Sequence, residues 1–263
     1  MSATDKVLSR KEAGVGYMTF NNPERHNAVS LDMWDVAERI LADFAADSAI
    51  RVVVHTGAGG KAFVSGADIS KFATERSTKE AVEHYSVVVD RAHTAVYEFP
   101  KPTIAMIRGY CIGGGLALAL ACDMRICSDN SRFGVPAAKL GLGYAFKGIK
   151  KLVNVVGPSF AKEIFYTARQ FTATEALQMG LVNRAVPGDE LEQYVQDYAA
   201  VIGGNAPLTI AAVKYSIGEA VKSASERNLQ KASDMVAQCF ASKDYVEGRT
   251  AFMEKRKPQF TGA

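Results

Sequence analysis

GYCIGGGLALALACD, residues 109–123, sets three consecutive glycines, Gly113 to Gly115, directly before a run of small and apolar residues. The run predicts a helix with apolar or small side chains on nearly every side. A glycine turn at a helix start frees backbone N–H groups to face something negatively charged. No acid or histidine follows where a group doing chemistry is expected. The stretch therefore reads as a binding site, an unusual active site, or a tight turn.

The rest of the chain narrows these readings. With 263 residues, 48% hydrophobic and 22% charged, it can bury a sizeable core and has the balance of a globular protein. A net charge of +3 is too small to imply nucleic acid, and no basic stripe with interleaved aromatics is present. Cys111, Cys122, Cys127 and Cys239 form no CxxC pair, which predicts buried thiols in a reducing compartment. His26, His55, His84 and His93 are scattered, so no metal site is expected. MSATDKVLSR lacks the apolar core of a signal peptide and no apolar run has membrane-spanning length, so a cytoplasmic protein without a membrane partner is expected.

Strands are predicted in VGYMTFNN, IRVVVHTG, PTIAMIRGY and MRICSDNSRFGVP. A helix is predicted over SLDMWDVAERILADFAAD, with Met33, Val36, Ile40 and Phe44 on one side and Ser30 as N-cap. GAGGKAFVSGADIS reads as a glycine-rich loop, followed by a polar helix through about His84 to Phe99. Thr172 and Glu175 match a capping box, and beyond Pro187 the pattern is helical to about Arg256. Strand and helix alternate through the first 190 or so residues, which predicts an α/β core with a helical C-terminal part.

Two glycine-rich segments, AFVSGADI (62–69) and GYCIGGGLALA (109–119), each follow a β-rich run. Together they resemble the paired signature of the crotonase (enoyl-CoA hydratase/isomerase) superfamily. The likeness continues through NNPERHNAVS (21–30), FGVPAAKLGL (133–142), TARQFTATEALQMGLVNRAVP (167–187) and EGRTAFMEKRKPQF (247–260), in the family's order over nearly the whole chain. The resemblance implies a crotonase-type spiral of ββα units in residues 1–200. It assigns residues 201–263 to a helical part that serves oligomerisation and covers CoA, and it implies a homotrimer or a hexamer built as a dimer of trimers. The implied enzyme is a lyase or isomerase acting on an acyl-CoA thioester, with CoA part of the substrate and no separate cofactor.

By motif position, the backbone amides of Ala67 and Gly114 form the family's oxyanion hole for the thioester carbonyl. Ser65, Gly66, Asp68, Ile69 and Gly113 are their substrate-binding neighbours, with Asp68 also holding the loop. Phe252 and Lys255 occupy positions that help cover the nucleotide end of CoA bound to a neighbouring subunit.

Hydratases of this family position water with two glutamates, and here both positions are alanine: Ala117, three residues after Gly114, and Ala137, after Pro136. A third position, which carries aspartate in dienoyl-CoA isomerases and in the chlorobenzoyl-CoA dehalogenase, is Ala145. An alanine methyl moves no proton, so simple hydration has no visible acid or base. Tyr144 and Lys147 are the polar residues nearby, and Tyr144 coincides with a tyrosine of the methylmalonyl-CoA decarboxylases. Those relatives also lack the second glutamate, but carry a histidine at the position of Ala67 and a glutamate at that of Ala117. Malonyl-type decarboxylation, isomerisation using Tyr144, and non-catalytic acyl-CoA binding therefore all stay open. Asp123, Glu163, His84 and His93 are expected in structural, packing or surface roles.

Overall fold

The β-branched run VVVHTG forms a central strand because both its faces meet apolar neighbours: Val52, Val53, Val54 and His55 have no exposed surface. The computed structural model describes residues 3–68, 71 and 77–263. Within them this strand, β3 (Val52–Gly57), lies between β2 (Val15–Phe20) and β5 (Thr103–Ile107). The sheet continues through β7 (Met124–Ser128) to β10 (Arg184–Val186), all parallel. An antiparallel edge strand, β1 (Val7–Glu12), exposes Leu8 through Glu12. Its charged side chains discourage pairing with another chain.

A second sheet has the order β4 (Ala62–Val64), β6 (Tyr110–Ile112), β8 (Arg132–Gly134) and β9 (Phe171–Thr172). Three times the chain passes from the first sheet to the second and then into a helix. β3 and β4 precede α3 (Lys79–Tyr97), β5 and β6 precede α4 (Gly114–Ala121), and β7 and β8 precede α5 (Phe146–Thr167). This is the spiral of ββα units expected above. The corner between β5 and β6 turns at Gly109, whose φ is +69° and where a Cβ would stand 2.6 Å from the Lys61 carbonyl carbon. PTIAMIRGY is accordingly two strands in two sheets rather than one, and the segment read as a glycine-rich loop contains β4.

Two apolar cores result. The larger lies between the sheets and includes α2 (Leu31–Ala46), from which Met33, Val36 and Phe44 are buried and Ile40 half-buried. Ser30 stands at its N-cap position, but its hydroxyl bonds the Asp32 carboxylate instead of a helix amide. The smaller core lies on the outer face of the first sheet, where Leu191, Val195 and Ala199 of α7 (Leu191–Gly203) cover Val15, Val52, Val54, Ile104 and Ile126. The helix α6 (Ala173–Gln178) begins with the expected Thr172–Glu175 capping box. Beyond it come α8 (Pro207–Ala220), α9 (Leu229–Ala241) and α10 (Lys243–Met253). The division expected at 200/201 falls inside α7. Val213, Ile217, Val236, Phe240 and Phe252 line an apolar groove of about 820 Å³ between α8, α9 and α10. The last residues lie back along α10: Asp244 accepts from the amides of Thr261 and Gly262, and Arg51 donates to the Phe260 carbonyl.

The cysteines are free thiols, with Cys111, Cys122 and Cys127 buried. Two histidines set a pH dependence. Among the described residues neither ring nitrogen of His55 has a partner, nor does Nε2 of His93, and burial depresses both pKa values to about 4. Each folded-state pKa lies below the unfolded value of 6.5, so the folded chain binds fewer protons. The stabilisation is complete above pH 6.5 and is lost as pH falls toward 4, by up to about 3 kcal/mol per histidine. Urea midpoints measured at pH 7.5 and 5.5 should therefore fall with pH, and His55→Leu should flatten the slope. Midpoints that do not move over that range would refute the assignment.

Candidate active site

The loop after β4 is built on NNPERHNAVS. Asn27 is fully buried in a left-handed conformation, φ +56°, and its Nδ2 donates to the carbonyls of Ala58 (2.9 Å) and Ala62 (2.7 Å). Ser65 donates its amide to His26 (3.1 Å) and its hydroxyl to the Arg25 carbonyl (3.3 Å). Val29 then pairs with the loop: its N–H donates to Gly66 (2.9 Å) and its carbonyl accepts from Asp68 N–H (3.1 Å). In such a parallel bridge the residue between, Ala67, turns its own N–H away from Val29. Among the described residues no carbonyl accepts from that amide. Arg25 grips both carboxylate oxygens of Asp68, at 3.0 and 3.1 Å, so Asp68 fixes the loop.

The second glycine segment meets the first through strand register. Val64 of β4 pairs with Cys111 of β6, and Ala67 and Gly114 each lie three residues beyond that pair. Gly113, φ +55°, makes the turn and donates its amide to Gly134 (2.8 Å). Gly114 opens α4, so its N–H is one that a helix leaves unbonded. A Cβ built on Gly114 would stand 3.8 Å from the Ala67 nitrogen, and one on Gly66 would stand 3.5 Å from the Gly114 nitrogen. The two amides are thus neighbours, and the positive end of α4 adds to them.

Around them the expected acids are methyl groups. Ala117 is half-buried in the first turn of α4, Ala137 is buried, and Ala145 is exposed. The turn carrying Ala137 adjoins the glycines, since a Cβ on Gly113 would stand 3.9 Å from Pro136 Cδ. Tyr144 packs edge-on against Phe165, ring centroids 4.9 Å apart, and burial pushes its phenol up to about 12. At neutral pH it can donate a hydrogen bond but cannot serve as a base.

Other candidates lie elsewhere. Lys147 is exposed and paired with Asp90 at 2.7 Å, so it leaves the segment it shares with Tyr144. Asp123 accepts from the Thr103 amide and hydroxyl and from Lys214, and Glu163 pairs with Arg169. His84 is exposed on α3, while His93 packs edge-on to Trp34. Phe252, near the end of α10, and Lys255, just beyond it, are exposed. Ile69 lies outside the described residues. Sequence reasoning missed the loop supports Arg25 and Asn27, whose roles depend on acceptors 31 to 43 residues away.

No group of three His, Cys, Asp or Glu among the described residues could hold a metal ion. None of their helices is long and apolar enough to cross a membrane. Two adjacent amides that donate to no carbonyl among the described residues, with alanine at 117 and 137, can polarise a carbonyl oxygen.

Residues 10–263 match the family model for enoyl-CoA hydratase/isomerase. The chain belongs to that family. Among curated members it is 35% identical to a short-chain-enoyl-CoA hydratase of Clostridium acetobutylicum, over 96% of each chain. It is 34% identical to a crotonyl-CoA hydratase of Syntrophomonas wolfei, over 98% of each. Among solved structures it is similar to an enoyl-CoA hydratase/carnithine racemase from Magnetospirillum magneticum. That likeness has a TM-score of 0.94 at 36% identity, covering 99% of this chain and 97% of the other. The spiral of this enoyl-CoA hydratase/isomerase member is thus the family fold over its full length.

Proposed function

We propose that this family member binds an acyl-CoA thioester with its carbonyl oxygen between the Ala67 and Gly114 amides, and that the reaction it supports is loss of CO₂ from a malonyl-type thioester. The observation carrying this reading is the pair of adjacent amides beside alanine at both glutamate positions. In decarboxylation the bond between the α-carbon and the carboxylate breaks, its electrons pass into the thioester as an enolate, and CO₂ leaves. The amides stabilise the enolate oxygen, and no base is needed to begin. The α-carbon then takes a proton from water or from the neutral Tyr144 phenol.

Isomerisation of an enoyl thioester needs a base, and a phenol held at about 12 is a poor one. The relatives' names bring hydration to the chain as the competing reading, but alanine cannot position or deprotonate water. CoA enters as part of the substrate, with no further cofactor or metal. The apolar groove on α8–α10 fits burial against another copy in a trimer or hexamer, with Phe252 and Lys255 reaching a neighbour's CoA. A cytoplasmic location accords with the free cysteines.

Mass-spectrometric turnover of malonyl-CoA, methylmalonyl-CoA, crotonyl-CoA, a longer trans-2-enoyl-CoA and a 3-enoyl-CoA tests the reading. CO₂ loss without hydration is the expected result. Rapid hydration would overturn it, and silence across the panel would favour a non-catalytic acyl-CoA binder. Gly114→Pro sharpens the test, because proline is well tolerated at a first helical position, removes the N–H and sets a ring carbon in the place of its hydrogen. It should lower turnover by about 10²–10³ with circular dichroism unchanged. Full turnover in a folded Gly114→Pro protein would remove this amide from the mechanism.

A further inference from the structure

Arg125, the second residue of β7, is buried. Among the described residues its guanidinium bonds carbonyl oxygens and no carboxylate: Nε donates to Leu181 at 2.8 Å, and Nη1 to Cys122 at 3.0 Å and Ala119 at 3.3 Å. Two of these three acceptors stand at the C-terminal end of α4, the helix that Gly114 begins: the carbonyl of Ala119, which also accepts from the Cys122 N–H, and that of the C-cap residue Cys122. The Arg125 backbone is pinned in turn, its N–H donating to Asn183 Oδ1 and its carbonyl accepting from Asn183 N–H, both at 2.8 Å.

Apolar packing holds the helix in place, but few polar groups fix its ends. It carries no acidic residue in its first turn, no basic residue in its last and no side-chain cap. Its eight residues span about 12 Å. At one end Gly113 is tied to Gly134, and at the other the guanidinium ties α4 to the 181–183 segment. A buried cation at the negative end of a helix also raises the potential at its positive end. The buried residues between, Leu116 and Leu118 to Ala121, leave that field unscreened by water.

We propose that Arg125 is a positioning residue for the thioester oxygen, anchoring and polarising α4 from the end opposite Gly114. The inference rests on the reading of the Ala67 and Gly114 amides given above. It predicts that removing the guanidinium weakens carbonyl polarisation more than it weakens CoA binding.

The test is the difference infrared spectrum of bound butyryl-CoA labelled with ¹³C at the thioester carbonyl. This thioester has no double bond to hydrate and no carboxylate to lose. In the wild-type protein the carbonyl stretch should move to lower frequency on binding. Arg125→Met should still bind butyryl-CoA and lose about half or more of that downshift, with kcat on any turned-over substrate about tenfold lower and KM nearly unchanged. Arg125→Lys, which keeps a charge but not the three-way fork, should fall between them, and it decides the matter if Arg125→Met does not fold. A full wild-type downshift in a folded Met variant, or in the Lys variant where Met fails, would make Arg125 purely structural while leaving the two-amide reading intact. No downshift in the wild-type protein would overturn both.

Discussion

Replacing Gly115 by alanine should cost the fold at least about 3 kcal/mol and remove activity with it. A Cβ at this position would stand 2.7 Å from the Val64 carbonyl carbon and 2.9 Å from Val64 Cβ, and it would overlap the Val64 carbonyl oxygen. None of these atoms is the free end of a flexible side chain. Val64 is fully buried in β4, and Gly115 lies in the first turn of a helix buried beyond it. Relief therefore requires α4 to move off the sheet, which separates the Gly114 amide from Ala67. A displacement of about 1 Å at a reacting centre can lower turnover about 10²-fold. The measurement is a urea-unfolding midpoint for Gly115→Ala beside Gly143→Ala, which has no atom within 4 Å of the added methyl. The second should stay within about 0.5 kcal/mol of wild type. A Gly115→Ala protein as stable as its control would mean that α4 does not depend on this approach.

The second large effect is a gain. Glutamate at both Ala117 and Ala137 should raise crotonyl-CoA hydration by about 10²–10⁴ over the wild-type protein, the range a positioned acid and base supply. Each single variant should gain far less, because the two groups act on one water and their effects do not add. Ala117 suits the change, since a carboxylate in the first turn of α4 is favoured by the helix end. Ala137 suits it less. It is buried, and a carboxylate there is expected to destabilise the fold by about 1–3 kcal/mol unless it is hydrogen-bonded. The same double variant should lose activity toward a malonyl-type thioester, whose carboxylate would meet two like charges. Hydration by the wild-type protein as fast as by the double variant would show that another acid already does this work.

How much of this is legible in the sequence depends on whether a residue's partners are near it in the chain. The capping box at Thr172 and the buried face of α2 are local, and both can be read directly. The spiral is legible because two glycine-rich segments recur in a family order, not because of periodicity. β4 and β6 have three residues each, too few to show an alternation, and β1 exposes five of its six. At the site, the proximity of Gly66 to Gly114 follows from the register of β4 on β6, which no local pattern encodes. Lys147 looks like a companion of Tyr144 in sequence, yet α3 offers it Asp90. Arg125 reads as an ordinary strand charge, because the carbonyls that surround it, those of Ala119, Cys122 and Leu181, form no local pattern with it.

The pairing of Val64 with Cys111 has one more consequence. Neighbouring strands of any sheet lie about 4.8 Å apart, a distance set by backbone hydrogen bonds and indifferent to side chains. Two amides carried equally far beyond paired residues inherit that interval as a ruler, and two N–H groups so spaced can converge on one oxygen about 2.9 Å from each. The gauge survives any exchange of the acids around it. A chain built this way can trade one reaction for another by altering a few side chains while the grip on the carbonyl, made of main chain alone, passes unchanged from one chemistry to the next.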